Sequence, residues 1–189
     1  MSIFGTCNGI LIRPLAAEDV DALFATVSAS LTTLSQWVPW AKPDYTRSDS
    51  ANWTVHCKHA WDAGTEYHFG VFDAASGGLL GGIGFSHVSP VRRLANLGYW
   101  IADDARGGGV AVAVAAAQLA AVWAFGHLGL QRIEILVQPE NTASLRVAVK
   151  MGAVCEGIAR NGIIIDGEPR EAIVHSLIPD DLQNTPSAD

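Results

Sequence analysis

The spacing of apolar positions along the chain predicts short strands interleaved with amphipathic helices. Val20, Leu23, Phe24 and Val27 recur on one face of a helix over residues 17–31. Further helices are predicted over residues 48–61, 110–127 and 141–150. Period-two patterns and turn residues predict strands over residues 9–13, 66–72, 79–88, 95–101, 132–137, 153–160 and 170–177. Strands cluster before residue 106 and alternate with helices after it, which predicts a mixed sheet with helices on its faces.

Two predicted helix ends carry residues with a capping role. Asn141 precedes the last predicted helix and is a favoured N-cap, and Gly152 follows that helix as its C′ residue. Gly64 is expected to end the helix over residues 48–61. The closing hairpin is expected to turn near residues 165–168. We expect one domain over residues 1–183 and a disordered tail over residues 184–189.

Composition places the chain among globular proteins. It has 189 residues, of which 49% are hydrophobic and 16% charged, enough for one domain with a sizeable core. The three cysteines, Cys7, Cys57 and Cys155, are too few and too scattered for a disulfide framework, so a cytoplasmic location is expected. No signal peptide and no membrane partner are expected, because no uninterrupted apolar run approaches the roughly 20 residues of a membrane span.

The charge distribution favours an amine substrate over a nucleic acid. The net charge is −7, and the largest basic cluster is Arg92-Arg93. Binding to a nucleic-acid backbone needs a basic face, so no nucleic-acid partner is expected. An acidic surface instead suits a substrate that carries a positive amine.

A glycine turn between a predicted strand and a predicted helix has the composition of a phosphate-binding site. Residues 106–111 read Arg-Gly-Gly-Gly-Val-Ala, and glycines allow the N–H groups of a helix N-terminus to approach an anion. A nucleoside-triphosphate loop would need Gly-Lys-Ser/Thr, but Val110 and Ala111 follow the glycines. A dinucleotide fold would need a small residue at Val112 and an acid about 20 residues onward, where His127 lies instead.

Three segments in the same order and spacing resemble the GNAT acetyltransferase superfamily. Residues 106–111 are similar to its Arg/Gln-x-x-Gly-x-Gly/Ala signature, residues 138–144 (Gln-Pro-Glu-Asn-Thr-Ala-Ser) to its PxNxxS helix start, and residues 150–157 (Lys-Met-Gly-Ala-Val-Cys-Glu-Gly) to its next strand start. The similarity extends from about residue 10 to about residue 180. It is greatest to the RimJ/RimL branch, the ribosomal-protein N-terminal acetyltransferases. Two departures are Gly108 in place of a common basic residue and Ala153-Val154 in place of a frequent aromatic.

The resemblance implies a fold, a cosubstrate and a binding site. The fold would be the single-domain α/β (α+β) GNAT fold, a mixed and mostly antiparallel sheet of about seven strands flanked by about four helices. The cosubstrate would be acetyl-CoA, held without a metal. The residues expected to bind it are Tyr99, Trp100, Ile101, Arg106, Gly107, Gly108, Gly109, Val110, Ala111, Asn141 and Ser144. A homodimer is also implied.

Acetyl transfer to an amine needs a proton acceptor, oxyanion donors and help for the leaving thiolate. An α-amine, with a pKa near about 7.7–8.0, needs much less help to lose its proton than a lysine at about 10.4. By resemblance, a backbone N–H of residues 99–101 would bind the oxyanion and Ser144 would lie beside the coenzyme sulfur. Glu156 is the first candidate for the general base. Glu66, Asp103 and His87 are alternatives.

The acceptor site is expected under an aromatic loop. Trp37, Trp40 and Tyr45 lie in a proline-containing segment between the first two helices, where this superfamily covers its acceptor, although such aromatics also fill cores. With His87 they are the predicted substrate-binding residues. His56 and His59 can share a helix face, but no second ligand pair follows, so no metal is predicted.

Three functions remain open at this point. The acceptor is expected to be a protein or peptide N-terminal α-amine, attacked directly in a ternary complex. One alternative is the same chemistry on a small amine, as in resistance enzymes. The other is a non-catalytic acyl-CoA sensor.

Overall fold

The computed structural model describes residues 5–105 and 108–183. They form one eight-stranded sheet in the order β1-β2-β3-β4-β5-β6-β8-β7. The strands are β1 (Thr6–Cys7), β2 (Ile10–Pro14), β3 (Tyr67–Asp73), β4 (Leu79–Ser89), β5 (Leu94–Ile101), β6 (Arg132–Val137), β7 (Val154–Ile165) and β8 (Glu168–Leu177). Neighbouring strands are antiparallel except β5 and β6, which are parallel.

Helices cover both faces of the sheet. They are α1 (Val20–Ala29), α2 (Leu31–Leu34), α3 (Arg47–Ala63), α4 (Gly109–Trp123), α5 (Thr142–Lys150) and α6 (Pro179–Gln183). The predicted mixed α/β fold with a mostly antiparallel sheet is confirmed, and the strand and helix counts are close to those expected.

The core lies between the sheet and α4. Small buried side chains such as Ala116 and Ala120 let this helix approach the strands closely. Trp123, at the end of α4, packs its indole against Phe69 and Phe85 with ring centroids 5.1 and 6.4 Å apart. These aromatic contacts fix the far end of α4, and its N-terminus therefore has a defined position beside β5.

Strand parity assigns residues to the two faces. Directly paired residues share a face, and successive residues alternate. Phe85 and Leu97 pair with each other and are buried in the core on the α4 side. Gly84 and Gly98, which also pair, therefore belong to the opposite face.

Most predicted bounds agree with the structure, and the differences have local causes. The predicted helix over residues 110–127 is α-helical to Trp123 and continues as a π-helical turn over Ala124–Leu128. β7 runs to Ile165, five residues beyond its predicted end, because β8 pairs with it to the turn at Asp166 and Gly167. β1 and α6 are too short to produce a periodic signal.

The expectation that no stretch is long enough for a membrane span needs correction. Gly109–Leu128 has the length and apolar composition of such a span, by those criteria alone. In the fold this segment is the core helix, and the side chains of Ala116, Ala117, Ala120 and Ala121 are fully buried against the sheet and its neighbours. The predicted tail, residues 184–189, lies outside the described residues.

Candidate active site

The sheet opens between β5 and β6. The two strands pair from Leu94 and Arg132 to Asn96 and Glu134, after which the described residues form no further pairs between them. The edges of residues 97–101 and 135–137 therefore present backbone N–H and C=O groups that a bound molecule can use. A cavity of about 1710 Å³, the central cleft, runs through this opening.

The N-terminus of α4 borders one end of the central cleft. Gly108 is its N-cap with φ +84°, a conformation that favours glycine, and Gly109 and Val110 line the cleft. A Cβ built on Gly109 would lie 3.6 Å from Ile101 Cγ2, so the glycine leaves room there for a ligand. The first N–H groups of a 15-residue helix and its dipole suit an anion. The predicted phosphate contacts Arg106 and Gly107 lie outside the described residues.

Ser144 and Tyr99 form a pair on the side of the sheet that carries α4 and α5. The Tyr99 hydroxyl lies 2.9 Å from Ser144 Oγ and donates to the Ser144 carbonyl oxygen over 3.0 Å. Burial raises the pKa of Tyr99 to about 12, so its phenol stays protonated near neutral pH. With the phenolic proton directed at the carbonyl, the Ser144 hydroxyl is the donor in its contact with the Tyr99 oxygen, and rotation of this hydroxyl can redirect its proton to another acceptor.

Capping by Asn141 fixes the position of Ser144. The Asn141 side-chain oxygen accepts a hydrogen bond from the Ser144 N–H over 3.0 Å, as expected of an N-cap three residues earlier. Both residues line the central cleft. Ser144 therefore has a defined position in the first turn of α5, where it lines the cleft beside β5.

The opposite face of the sheet carries a row of glycines that ends in a histidine. His68 on β3 pairs with Gly84 on β4, and Gly84 pairs with Gly98 on β5. A Cβ built on Gly84 would lie only 2.2 Å from His68 Nδ1, so the imidazole lies directly over this glycine. A Cβ built on Gly98 would meet no atom within 4 Å. Neither Gly84 nor Gly98 therefore places a side chain between His68 and the β5–β6 opening.

Glu66 holds the other nitrogen of His68. Its Oε2 lies 2.7 Å from His68 Nε2 and 2.9 Å from His56 Nε2. The indole of Trp53 packs on both imidazoles. Desolvation lowers the pKa of His68 below its usual value despite the carboxylate, so the ring is neutral near pH 7. His68 was not among the residues predicted from the sequence. Its alternation with Tyr67 and Phe69, which face the core, indicates that His68 lies on the opposite face of the sheet.

The aromatic loop covers the opening from the acceptor side. Trp40 contacts Trp100 edge-on with centroids 5.9 Å apart and lies 6.3 Å from Tyr45. The Trp37 carbonyl accepts a hydrogen bond from Gln138 Nε2 over 3.3 Å. Since Trp100 lies on β5 and Gln138 follows β6, the loop is attached on both sides of the opening. Trp37, Trp40 and Tyr45 all line the central cleft.

His87 and Glu156 differ in their relation to the cleft. His87 lies in an irregular part of β4 with φ +52° and lines the central cleft at its exposed rim. Glu156 is not among the residues that line it within the described part of the chain. Its carboxylate binds Arg132 through two bonds of 2.6 and 2.5 Å and accepts a bond from Ser176 over 2.7 Å.

These bonds argue against a general base at Glu156. The guanidinium of Arg132 is the main cause that lowers the pKa of Glu156 to about 2. A carboxylate with so low a pKa is a weak proton acceptor. It is also ion-paired with Arg132 and does not line the central cleft. The sequence-based assignment of this role to Glu156 therefore lacks support from the geometry.

The lining of the central cleft is acidic. The described residues that line it include four carboxylates and one lysine, Lys42. The carboxylates are Asp44, Asp49, Asp103 and Glu134, of which Glu134 is paired with Arg132. Asp103 accepts a hydrogen bond from Thr33 Oγ1 over 2.8 Å, which fixes α2 against the end of β5. The cleft therefore favours a cationic molecule on its acceptor side.

Known proteins share this architecture. Residues 10–154 match the family model of the acetyltransferase (GNAT) domain. The Bacillus subtilis protein named "Probable N-acetyltransferase YjcK" is 30% identical over 177 residues, which cover 92% of this chain and 97% of the relative.

Solved structures agree with that match. A Vibrio cholerae protein assigned as a ribosomal-protein-serine acetyltransferase superimposes with a TM-score of 0.82 at 30% identity, covering 94% of this chain and 98% of the other. Mycobacterium smegmatis RimJ, solved with CoA-disulfide, superimposes with a TM-score of 0.79 at 24% identity, covering 92% and 83%. The opening beside β5, the N-terminus of α4 and the Tyr99–Ser144 pair fit such a cosubstrate. The chain therefore belongs to the GNAT acetyltransferase family, whose members are acyltransferases that use acetyl-CoA, and its similarity to ribosomal-protein acetyltransferases agrees with the RimJ/RimL branch.

Proposed function

We propose that this protein transfers the acetyl group of acetyl-CoA to the N-terminal α-amine of a protein or peptide. The observation that carries the proposal is one continuous cleft with a different chemistry on each side of the sheet. The Tyr99–Ser144 pair and the α4 N-terminus lie on one side, and an acidic, aromatic surface lies on the other. Two substrates that enter from opposite sides meet at the β5–β6 opening.

The acidic lining supports an amine acceptor. Asp44, Asp49 and Asp103 lower the free energy of a cationic N-terminal segment near the opening, whereas Glu134 is already paired with Arg132. The cavity of about 1710 Å³ exceeds the roughly 300–1000 Å³ of pockets for single small ligands. It has room for the arm of the cosubstrate and for several residues of an extended acceptor.

The residues of the cleft support direct attack. The amine nitrogen bonds to the thioester carbon, and the carbon–sulfur bond breaks. Backbone N–H groups of residues 97–101 on the open edge of β5 would stabilise the oxyanion. The Ser144 hydroxyl, supported by Tyr99, would donate a proton or a hydrogen bond to the departing sulfur.

A small amine is the second candidate acceptor. The aromatic wall of Trp40, Trp100 and Tyr45 favours it, because three adjacent rings can stack on a planar ligand. The loop that carries Trp40 would then close over the ligand, whereas a peptide requires that the cleft stays open to solvent at one end.

An acceptor panel tests the proposal. The enzyme and acetyl-CoA are incubated with peptides that begin with Ser, Ala or Met, with the same peptides blocked at the N-terminus, and with small amines. Mass spectrometry should find acetyl only on free peptide N-termini. Modification of small amines alone would contradict the peptide proposal, and binding of acetyl-CoA without any transfer would support the sensor alternative instead.

Two further expectations belong to this proposal. We expect the reaction to take place in the cytoplasm, where ribosomal proteins are made. We also expect a homodimer, as the resemblance to the RimJ/RimL branch implies. Size-exclusion chromatography with light scattering tests it: a mass near 40 kDa supports a dimer, whereas the mass of one 20.0 kDa chain contradicts it.

A further inference from the structure

We propose that His68 accepts the proton of the attacking amine and that Glu66 positions it. This inference rests on the proposed amine acetylation, whatever the amine, and assigns the proton acceptor of that reaction. Glu66 and His68 lie on the acceptor side of the sheet, whereas Ser144 lies on the cosubstrate side.

The hydrogen bond that His68 donates to Glu66 selects the tautomer of His68. A carboxylate 2.7 Å from Nε2 accepts a hydrogen bond, so the proton of the neutral imidazole resides on Nε2. Nδ1 then carries the free lone pair. No described residue forms a hydrogen bond to Nδ1.

Backbone register directs Nδ1 toward the reaction centre. Neighbouring strands lie about 4.8 Å apart, so Gly98 lies about two strand spacings from His68 along the same row. Nδ1 already lies over Gly84, the intermediate strand, and neither Gly84 nor Gly98 places a side chain in between. An amine over Gly98, at the edge of the β5–β6 opening, therefore lies about one strand spacing (roughly 4.8 Å) from Nδ1, a distance that one bridging water spans.

The surroundings of His68 keep it in the accepting form. The titratable groups that act on it are Glu66, which immediately precedes β3, and His56 on α3, and the residue of β4 paired with it is Gly84. The His68 side chain is 16% exposed, and burial favours the neutral ring. The proton balance starts from the cationic amine, which loses two protons. The first passes to Nδ1, directly or through one water, before the nitrogen attacks, and His68 then returns it to solvent. The second leaves the nitrogen after the carbon–nitrogen bond has formed and replaces the proton that Ser144 or solvent gives to the departing thiolate.

The test compares pH–rate profiles of the wild type and His68→Asn. Wild-type turnover should stay nearly constant between the pKa of His68 and that of the acceptor amine, since His68 accepts the proton there. In His68→Asn only amine that is already neutral reacts, so the rate should rise about tenfold per pH unit up to about pH 8. The defect should be about 30-fold at pH 6.5, which is about 1.5 units below the amine pKa, and should shrink toward pH 9.

Matched variants separate catalysis from folding. His59→Asn removes an exposed histidine of α3 outside the cleft and should leave the profile unchanged. Glu66→Gln keeps an oxygen near Nε2 and should retain more activity than Glu66→Ala. If His68→Asn does not fold, Gly84→Ala provides the second test, because its methyl group would displace Nδ1 and should produce the same pH-dependent defect.

Three results would overturn the inference while leaving amine acetylation intact. One is a His68→Asn defect of equal size at all pH values, which would indicate a structural role. Another is wild-type activity in His68→Asn at pH 6.5. The third is loss of wild-type turnover in EDTA with recovery on added Zn²⁺, which would make His56, Glu66 and His68 a metal site. Absence of any wild-type turnover would instead reject the proposed function.

Discussion

At the scale of single residues, the role proposed for the Tyr99–Ser144 pair can be tested by one substitution. Ser144→Ala removes the hydroxyl assigned to the departing sulfur but keeps the backbone groups that bind Tyr99 and Asn141. We expect kcat to fall about 100-fold with little change in the KM for acetyl-CoA, measured by steady-state kinetics.

The matched control is Thr142→Ala, which changes an exposed hydroxyl in the same turn of α5. Its kcat should stay within about twofold of the wild type, as for other exposed substitutions. An equal loss in Ser144→Ala and Thr142→Ala would mean that the helix start, not the Ser144 hydroxyl, determines the rate.

Glu156→Gln tests the assignment of Glu156 to structure. The folded-state pKa of about 2 lies below the ordinary 4.5, so the carboxylate stabilises the fold above pH 4.5 and loses this effect as the pH falls toward 2. Urea denaturation should therefore show a less stable variant at pH 7, with a smaller difference from the wild type at pH 3.

Turnover provides the second measurement on Glu156→Gln. It should stay within about twofold of the wild type, because the carboxylate is bound by Arg132 and lies outside the cleft lining. A loss of about 100-fold at unchanged acetyl-CoA binding would restore the general-base role.

Residue roles were only partly predictable from the sequence. The position of Ser144 in the first turn of α5 was predictable, because Asn141 three residues earlier is a favoured N-cap. The ion pair of Glu156 was not predictable, because the register of β7 shifts between Cys155 and Gly157 and strand alternation does not reveal a bulge. His68 was missed because its setting depends on glycines of β4 and β5, which are distant in sequence.

At the scale of elements, the N-terminus of α4 is the critical one for the cosubstrate. Gly109→Trp should fill the space beside Ile101 and block binding there. In the wild type, acetyl-CoA at about 100 times its Kd should stabilise the fold by about 2.7 kcal/mol, visible as a rise in Tm. The variant should show no such rise.

Gly126→Trp is the matched control, since Gly126 lies on the same long helical segment and a Cβ there meets no atom within 4 Å. It should keep the acetyl-CoA-dependent rise in Tm. A rise of normal size in Gly109→Trp would place the cosubstrate elsewhere.

The helix ends that carry a capping residue were predictable from the sequence. Asn141 caps α5 as expected, and Gly64 and Gly152 adopt positive φ where the helices end. The extension of β7 to Ile165 was not predictable, because pairing with β8 and not local sequence determines it.

At the scale of the whole molecule, the two faces of the sheet separate the proposed cosubstrate side from the proposed acceptor side. Alternation along β5 places Tyr99 on the side of Ser144 and Trp100 on the side of the aromatic loop. The sequence predicted β3, β4 and β5 to within one residue at each end. Only the pairing of His68, Gly84 and Gly98 shows that these three residues form a single surface. Long-range register depends on tertiary packing, which periodicity does not encode.

The most direct test of the central claim is thiol release from acetyl-CoA by the wild-type protein, with and without a peptide that has a free N-terminus. The account predicts release only with the peptide, in equal amount to the acetyl-peptide formed, because the amine attacks the thioester directly. Tight binding of acetyl-CoA without release on any amine would contradict the claim and leave a protein that binds acyl-CoA without catalysis.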